Sequence, residues 1–136
     1  MSNIEQTLSI IKPDAVERNL TEKIKDIFIK NKFNIKDLKK IHITKDEAAE
    51  FYKVHQSKPF YNDLCAYLSS GPIVVMILER EDAVKTNRRI MGATNPKDAE
   101  ENTIRKLYGI SIDKNSVHGS DSIENAKKEI DFFFKN

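Results

Sequence analysis

The run Ile73-Val74-Val75-Met76-Ile77-Leu78, opened by the turn Gly71-Pro72, constrains this chain more than any other segment. A strand with one wet face alternates apolar and polar residues, whereas an unbroken apolar run belongs to a strand buried in the middle of a sheet. At 136 residues the chain suits one compact domain, 1–136, that buries roughly two-thirds of its unfolded surface around such a strand.

The neighbouring segments supply a sheet and its helices. Thr7-Leu8-Ser9-Ile10-Ile11 is rich in β-branched residues and ends at Lys12-Pro13, where proline stops regular pairing, so it predicts a strand. Ile24, Ile27 and Phe28 recur at helical spacing between Leu20 and Lys32. Asn34 to Ile43 is an imperfect strand pattern. Thr44-Lys45-Asp46-Glu47 is a capping-box sequence and predicts a helix to about Gln56. A short helix from Phe60 to Ser69 and another from Asp82 to Met91, stopped by Gly92, flank the central strand. Residues 93–114 have little periodicity and are expected to form a long loop, functional or mobile. Ser116-Val117-His118 is a short strand candidate. Ser120, Asp121 and Ser122 offer capping oxygens to a last helix with Ile123, Ala126, Ile130 and Phe133 on one face. The βαββαβ order predicts an α/β (α+β) sandwich of the ferredoxin-like kind, an antiparallel four-stranded sheet with helices packed on it.

Composition excludes several classes of function. The single cysteine, Cys65, lies in an apolar setting and is expected to be a buried inert thiol, and it cannot form an internal disulfide or a cysteine zinc cluster. No apolar run approaches the ~18 residues of a membrane span, and the first residues lack a secretory signal, so a cytoplasmic location is expected. A formal net charge of +2 gives no basis for nucleic-acid binding. The lysines between Lys36 and Lys40 predict a solvated surface. The four glycines, at 71, 92, 109 and 119, form neither a phosphate-binding P-loop nor a dinucleotide fingerprint. Any phosphate binding must therefore come from side chains, with Lys12, Arg88, Arg89, Thr94 and Arg105 as candidates. Taken locally, Arg88 and Arg89 read as the exposed face of a helix, and Phe60 and Tyr61 as core packing.

His118 stands between an apolar strand residue and Gly119, just ahead of a helix N-terminus that favours anions. Neutral imidazole can attack phosphorus without prior deprotonation. It needs an acceptor on its other nitrogen, and spacing alone does not place the candidate, Glu129. On local sequence a nucleophile and a structural histidine remain equal readings. His42 is expected to point to solvent and His55 to pack on the Pro59-Phe60-Tyr61 bend; three scattered histidines do not make a metal site.

Together, Lys12-Pro13-Asp14, Phe51-Tyr52-x-x-His55-x-x-Lys58-Pro59-Phe60-Tyr61, Ser70-Gly71-Pro72, Gly92-Ala93-Thr94-Asn95-Pro96, Thr103-Ile104-Arg105 and Asn115-x-x-His118-Gly119-Ser120-Asp121-Ser122 resemble the nucleoside diphosphate kinases in order and spacing. The short end after Phe132-Phe133-Phe134 looks more like the bacterial members. The resemblance implies ping-pong transfer of a γ-phosphate from a nucleoside triphosphate, mainly ATP, through phosphorylated His118 to a nucleoside diphosphate, supplying (d)NTPs. It implies that Glu129 and Ser120 orient the His118 ring. Lys12, Tyr52, Arg88, Thr94, Arg105 and Asn115 would hold phosphates and ribose, and Phe60, Leu64 and Ile112 the base. Mg2+ would ride on the nucleotide phosphates and water and not in a protein cage. The chain would form a homo-oligomer, tetramer or hexamer, with no specific nucleic-acid or membrane partner.

Three places depart from the family pattern. Asn102 stands where glycine is usual, Lys106-Leu107-Tyr108 replaces a commoner run, and Arg80 follows Glu79 where glycine is frequent. If the backbone at 102 needs positive φ, asparagine is the best non-glycine choice. Lys106 is expected to add positive charge near the site. Two other classes compete with the enzyme: a regulatory protein on the same scaffold and a ferredoxin-like module without chemistry. The intact Lys12, Arg88, Arg105 and His118 argue against the first, and the long loop with its arginines is unexplained by the second.

Overall fold

The structure, a computed structural model, describes residues 4–111 and 114–134. Four strands form one antiparallel sheet in the order β2-β3-β1-β4. They are β1 (Ile4–Ile11), β2 (Asn34–Ile41), β3 (Ile73–Glu81) and β4 (Val117–Gly119). The helices are α1 (Pro13–Glu17), α2 (Thr21–Lys30), α3 (Lys45–Phe51), α4 (Tyr61–Leu68), α5 (Ala83–Met91), α6 (Ile104–Tyr108) and α7 (Ile123–Phe134). The ferredoxin-like sheet expected from the strand and helix order is therefore present, with β3 and β1 at its centre.

The unbroken apolar run in β3 has its explanation in two cores. Successive residues of a strand point to opposite faces. Val74, Met76 and Leu78 join Ile24 and Phe28 of α2 and Ile90 of α5 on one face. Ile73 and Val75 join Ala48 of α3, Leu68 of α4 and Phe133 of α7 on the other. Each fully buried side chain of this size contributes about 1.5–3 kcal/mol, whereas an exposed pair such as Lys25–Glu22 at 3.3 Å contributes about 1 kcal/mol or less. The two-sided core therefore dominates the stability.

Local signals explain most element ends. Thr44 and Glu47 form a reciprocal capping box, with bonds of 3.1 and 2.8 Å, but α3 stops at Phe51 and a 3-10 turn at Lys53–His55 replaces the expected run to Gln56. Gly92 ends α5 at φ 85°, and a Cβ there would lie 2.5 Å from Thr103 Oγ1, so both conformation and space require glycine.

Two helices were not anticipated. Pro13 opens α1 because its missing N–H is no loss in a first turn. The segment expected to be a loop contains a 3-10 turn at Pro96–Asp98 and α6, capped where Thr103 Oγ1 accepts from Lys106 N at 3.3 Å and anchored by fully buried Ile104. A helix of five residues is too short to show periodicity. Asn102, just before it, has φ 68°. Arg80 donates to the Asn31 carbonyl at 2.6 Å and stacks over Phe33, tying β3 to the end of α2. Cys65 is buried, and the β2 lysines at 36, 39 and 40 are exposed. Among the described residues no helix is long and apolar enough to cross a membrane.

Candidate active site

β4 and α7 set the centre of the site. Ile10 pairs with His118 and Ile11 with Val117, so Val117 enters the α2/α5 core while His118 emerges on the α3/α4/α7 face. Gly119 turns back towards α5, where a Cβ would lie 2.4 Å from Asn87 Nδ2. On α7, Ala126, Ile130 and Phe133 pack inward, and Glu129, one residue before Ile130, reaches the histidine. His118 Nε2 lies 2.9 Å from Glu129 Oε1, and Ser120 Oγ donates to the same oxygen at 2.9 Å. A carboxylate can only accept, so Nε2 carries the proton and Nδ1 keeps its lone pair. Phe51 presses edge-to-face on the imidazole, with ring centroids 5.3 Å apart.

His118 opens into a cleft of about 790 Å³, a size that suits a small ligand. Five cationic side chains line it: Lys12, Lys53, Arg88, Arg105 and Lys128. Arg105 is held at both ends of its fork, donating to the Gly92 carbonyl at 3.0 Å and the Val117 carbonyl at 2.9 Å. Burial, and then Arg88 nearby, push its guanidinium down to about 10, so it stays charged at neutral pH without a carboxylate among these partners. Lys12 Nζ donates to Asn115 Oδ1 at 2.9 Å, and Asn115 Nδ2 donates to the Thr94 carbonyl at 3.0 Å. Tyr52 is buried, and burial pushes its hydroxyl well above the usual range, so it remains a neutral donor. The arrangement concentrates fixed positive charge and oriented donors around an imidazole lone pair, which favours a multiply charged anion.

The structure brings Lys12, Tyr52, Phe60, Leu64, Arg88, Thr94, Arg105, Asn115, His118 and Glu129 to this one cleft, with Ser120 bonded behind Glu129. Ile112 lies outside the described residues. One local reading is corrected and one refined. Phe60 is 43% exposed at the cleft, at the N-cap of α4, instead of packed in the core. Arg88 is exposed, as the local reading has it, but it lines the cleft while Arg89 does not, since adjacent helical residues point about 100° apart. Lys106 is exposed and does not line the cleft, so the charge expected of it is not delivered there.

Sequence reading gave little weight to His55, yet it lines the cleft between Tyr52 and Phe60, with centroids 6.3 Å from each. Its spacing of three after Tyr52 was the available signal. Asp121 also lines the cleft; a hydrogen bond from Asn125 and the nearby Arg88 hold its carboxyl below the usual range.

Among the described residues no three His, Cys, Asp or Glu side chains converge to hold a metal ion. Mg2+ keeps several waters and takes few protein ligands. Of the three carboxylates lining the cleft, Glu129 is engaged by His118 and Ser120 and Asp121 by Asn125, and Glu50 is the third.

Known proteins share this sequence and fold. The family model described as nucleoside diphosphate kinase matches residues 5–136. The nucleoside diphosphate kinase of a Nitratiruptor species is 57% identical over 131 residues, 96% of each chain. That of Geotalea uraniireducens is 55% identical over the same length and coverage. The crystal structure of the Aquifex aeolicus nucleoside diphosphate kinase superimposes with a TM-score of 0.96 at 44% identity, covering 98% of this chain and 97% of that one. With the match spanning nearly the whole chain in both sequence and fold, this protein belongs to the nucleoside diphosphate kinase family.

Proposed function

We propose that the chain transfers the γ-phosphate of a nucleoside triphosphate, mainly ATP, to His118 and then to a nucleoside diphosphate, supplying (d)NTPs. The observation that carries this reading is the His118–Glu129 pair at 2.9 Å beside a cleft lined by five cations, Lys12, Arg88 and Arg105 among them. In the first half-reaction the Nδ1 lone pair forms a bond to the γ-phosphorus while the bond to the β,γ-bridging oxygen breaks. The electron pair leaves with the nucleoside diphosphate, and no proton is removed from Nδ1. The second half-reaction reverses these bonds with a different nucleoside diphosphate as acceptor. Glu129 and Ser120 hold the ring and balance the positive charge that builds on it.

Phosphoryl transfer asks mainly for positioning and charge neutralisation. Arg88, Arg105, Thr94 and Tyr52 meet the phosphates, and Lys12 and Asn115 meet the ribose. Phe60, Leu64 and Ile112 bracket the base; stacking tolerates any base, which suits broad nucleotide use. Mg2+ on the phosphates supplies further neutralisation. In this reading the chain works as one domain, 1–136, in a cytoplasmic homo-oligomer.

The test is a label chase. Incubation with γ-labelled ATP and Mg2+ yields acid-labile, alkali-stable label on the protein, which leaves on addition of a second nucleoside diphosphate. His118→Ala takes no label. Absence of label on the wild-type protein, or label that persists in His118→Ala, refutes the reading.

A further inference from the structure

Lys12 and Asn115 are 6% and 2% exposed and meet at the cleft, yet the sheet does not hold them. The β1–β4 ladder ends at Ile11 and Val117, one residue short of Lys12 and two short of Asn115. Beyond it Lys12 N donates to the Ser116 carbonyl, at 2.8 Å. Ser116 makes that bond from φ 76°, a left-handed conformation that costs a non-glycine residue about 1–2 kcal/mol. Such strain persists only where the surroundings over-determine the backbone.

What determines it is Asp14, which does not line the cleft. Its side chain is 3% exposed. Oδ2 accepts from Ser116 Oγ at 3.3 Å and from Arg18 Nη2 at 3.1 Å, and Oδ1 accepts from the Tyr67 hydroxyl. The same hydroxyl accepts from Asp14 N at 2.9 Å. Burial and the Asp14 carboxylate push the Tyr67 hydroxyl above its usual range, which keeps it a donor. Arg18 continues the network to the Tyr108 carbonyl at 2.6 Å, the end of the helix that carries Arg105. One buried carboxylate thus ties the β1–α1 turn to α4, to α6 and to the residue between Asn115 and Val117.

We propose that Asp14, acting through Ser116, Arg18 and Tyr67, is a positioning residue that sets the Lys12–Asn115 pair for the nucleotide. This rests on the phosphoryl-transfer reading of the cleft. The bland alternative is an ion pair that only stabilises the fold. The two differ in what fails when Asp14 is altered. His118 is held by β4 pairing and by Glu129, neither of which touches Asp14, so its reactivity is independent of the network. Lys12 and Asn115 are not independent, because their backbone path runs through Ser116 and the β1–α1 turn.

The experiment compares two phosphoryl donors on the full-length protein. ATP requires the whole cleft. Phosphoramidate is small: its P–N bond breaks, ammonia leaves, and the new N–P bond forms on Nδ1 of His118. In Asp14→Asn, kcat/KM for nucleotide falls about 30- to 100-fold, the scale expected when bound groups shift by about 1 Å. The rate of His118 phosphorylation by phosphoramidate stays within about 3-fold of wild type, since β4 and Glu129 keep their geometry. Tyr67→Phe removes only a hydroxyl, so it keeps the fold if Asp14→Asn does not, and it shows the same split at a smaller size. Thermal unfolding establishes that each variant is folded at the assay temperature. A parallel loss with both donors, or no loss with either in a folded variant, overturns the proposal. Wild-type protein that takes label from neither donor refutes the phosphoryl-transfer reading itself, and this inference with it.

Discussion

Glu129 Oε1 accepts from two donors at 2.9 Å, one of them His118 Nε2, and this single contact fixes which imidazole nitrogen would attack phosphorus in the proposed transfer. The neighbouring His55 shows the opposite situation. Its Nδ1 is buried without a hydrogen-bond partner, and burial followed by Lys58 pushes its pKa below the ordinary 6.5, Asp121 opposing weakly. On acidification the unfolded chain therefore takes up this proton first. Unfolding binds protons in that range, so stability falls as pH drops through and below about 6.5. The expected outcome is that the unfolding free energy, measured by urea titration between pH 7 and 5, declines less steeply in His55→Gln than in wild type. Identical slopes would contradict the assigned environment.

At the scale of elements, the capping box, the glycine stop of α5 and the apolar periodicities were legible because each is a local rule. The segment 93–114 was not, because α6 is short and its stability comes from the burial of Ile104 and a cap from Thr103. Asn102 leads into that cap with φ 68°, where an alanine Cβ is strained and glycine is not. Asn102→Ala is expected to lose about 1 kcal/mol by urea unfolding, while Asn102→Gly stays within roughly 0.5 kcal/mol of wild type. Equal stability of the two variants would show that the backbone there can relax to negative φ.

For the molecule as a whole, the cleft is assembled from α3, α4, α5, α6, β4, α7, the 3-10 turn at Lys53–His55 and the turn after β1, so it exists only while the sheet and both cores do. Nucleotide binding should then stabilise the entire fold. At a nucleotide concentration 100 times Kd the gain is about 2.7 kcal/mol, or a rise in Tm of roughly 8–11 °C for a chain of 136 residues. Calorimetry with and without ADP and Mg2+ checks this. An unchanged Tm under saturating, independently verified binding would mean that the site melts separately from the cores.

The sequence by itself determined the buried central strand, the order of the strands and the longer helices, and the set of residue types assembled at the cleft. These follow from chain-local periodicity and from motifs whose order is fixed along the chain. Tertiary structure alone decided the pairings of Lys12 with Asn115 and of Asp14 with Tyr67 and Ser116. It also placed Phe60 and Arg88 at the cleft, which the family resemblance implied and their local sequence did not. The physical reason is that a hydrogen bond between residues 103 positions apart depends on how strands and helices pack, which no local spacing encodes.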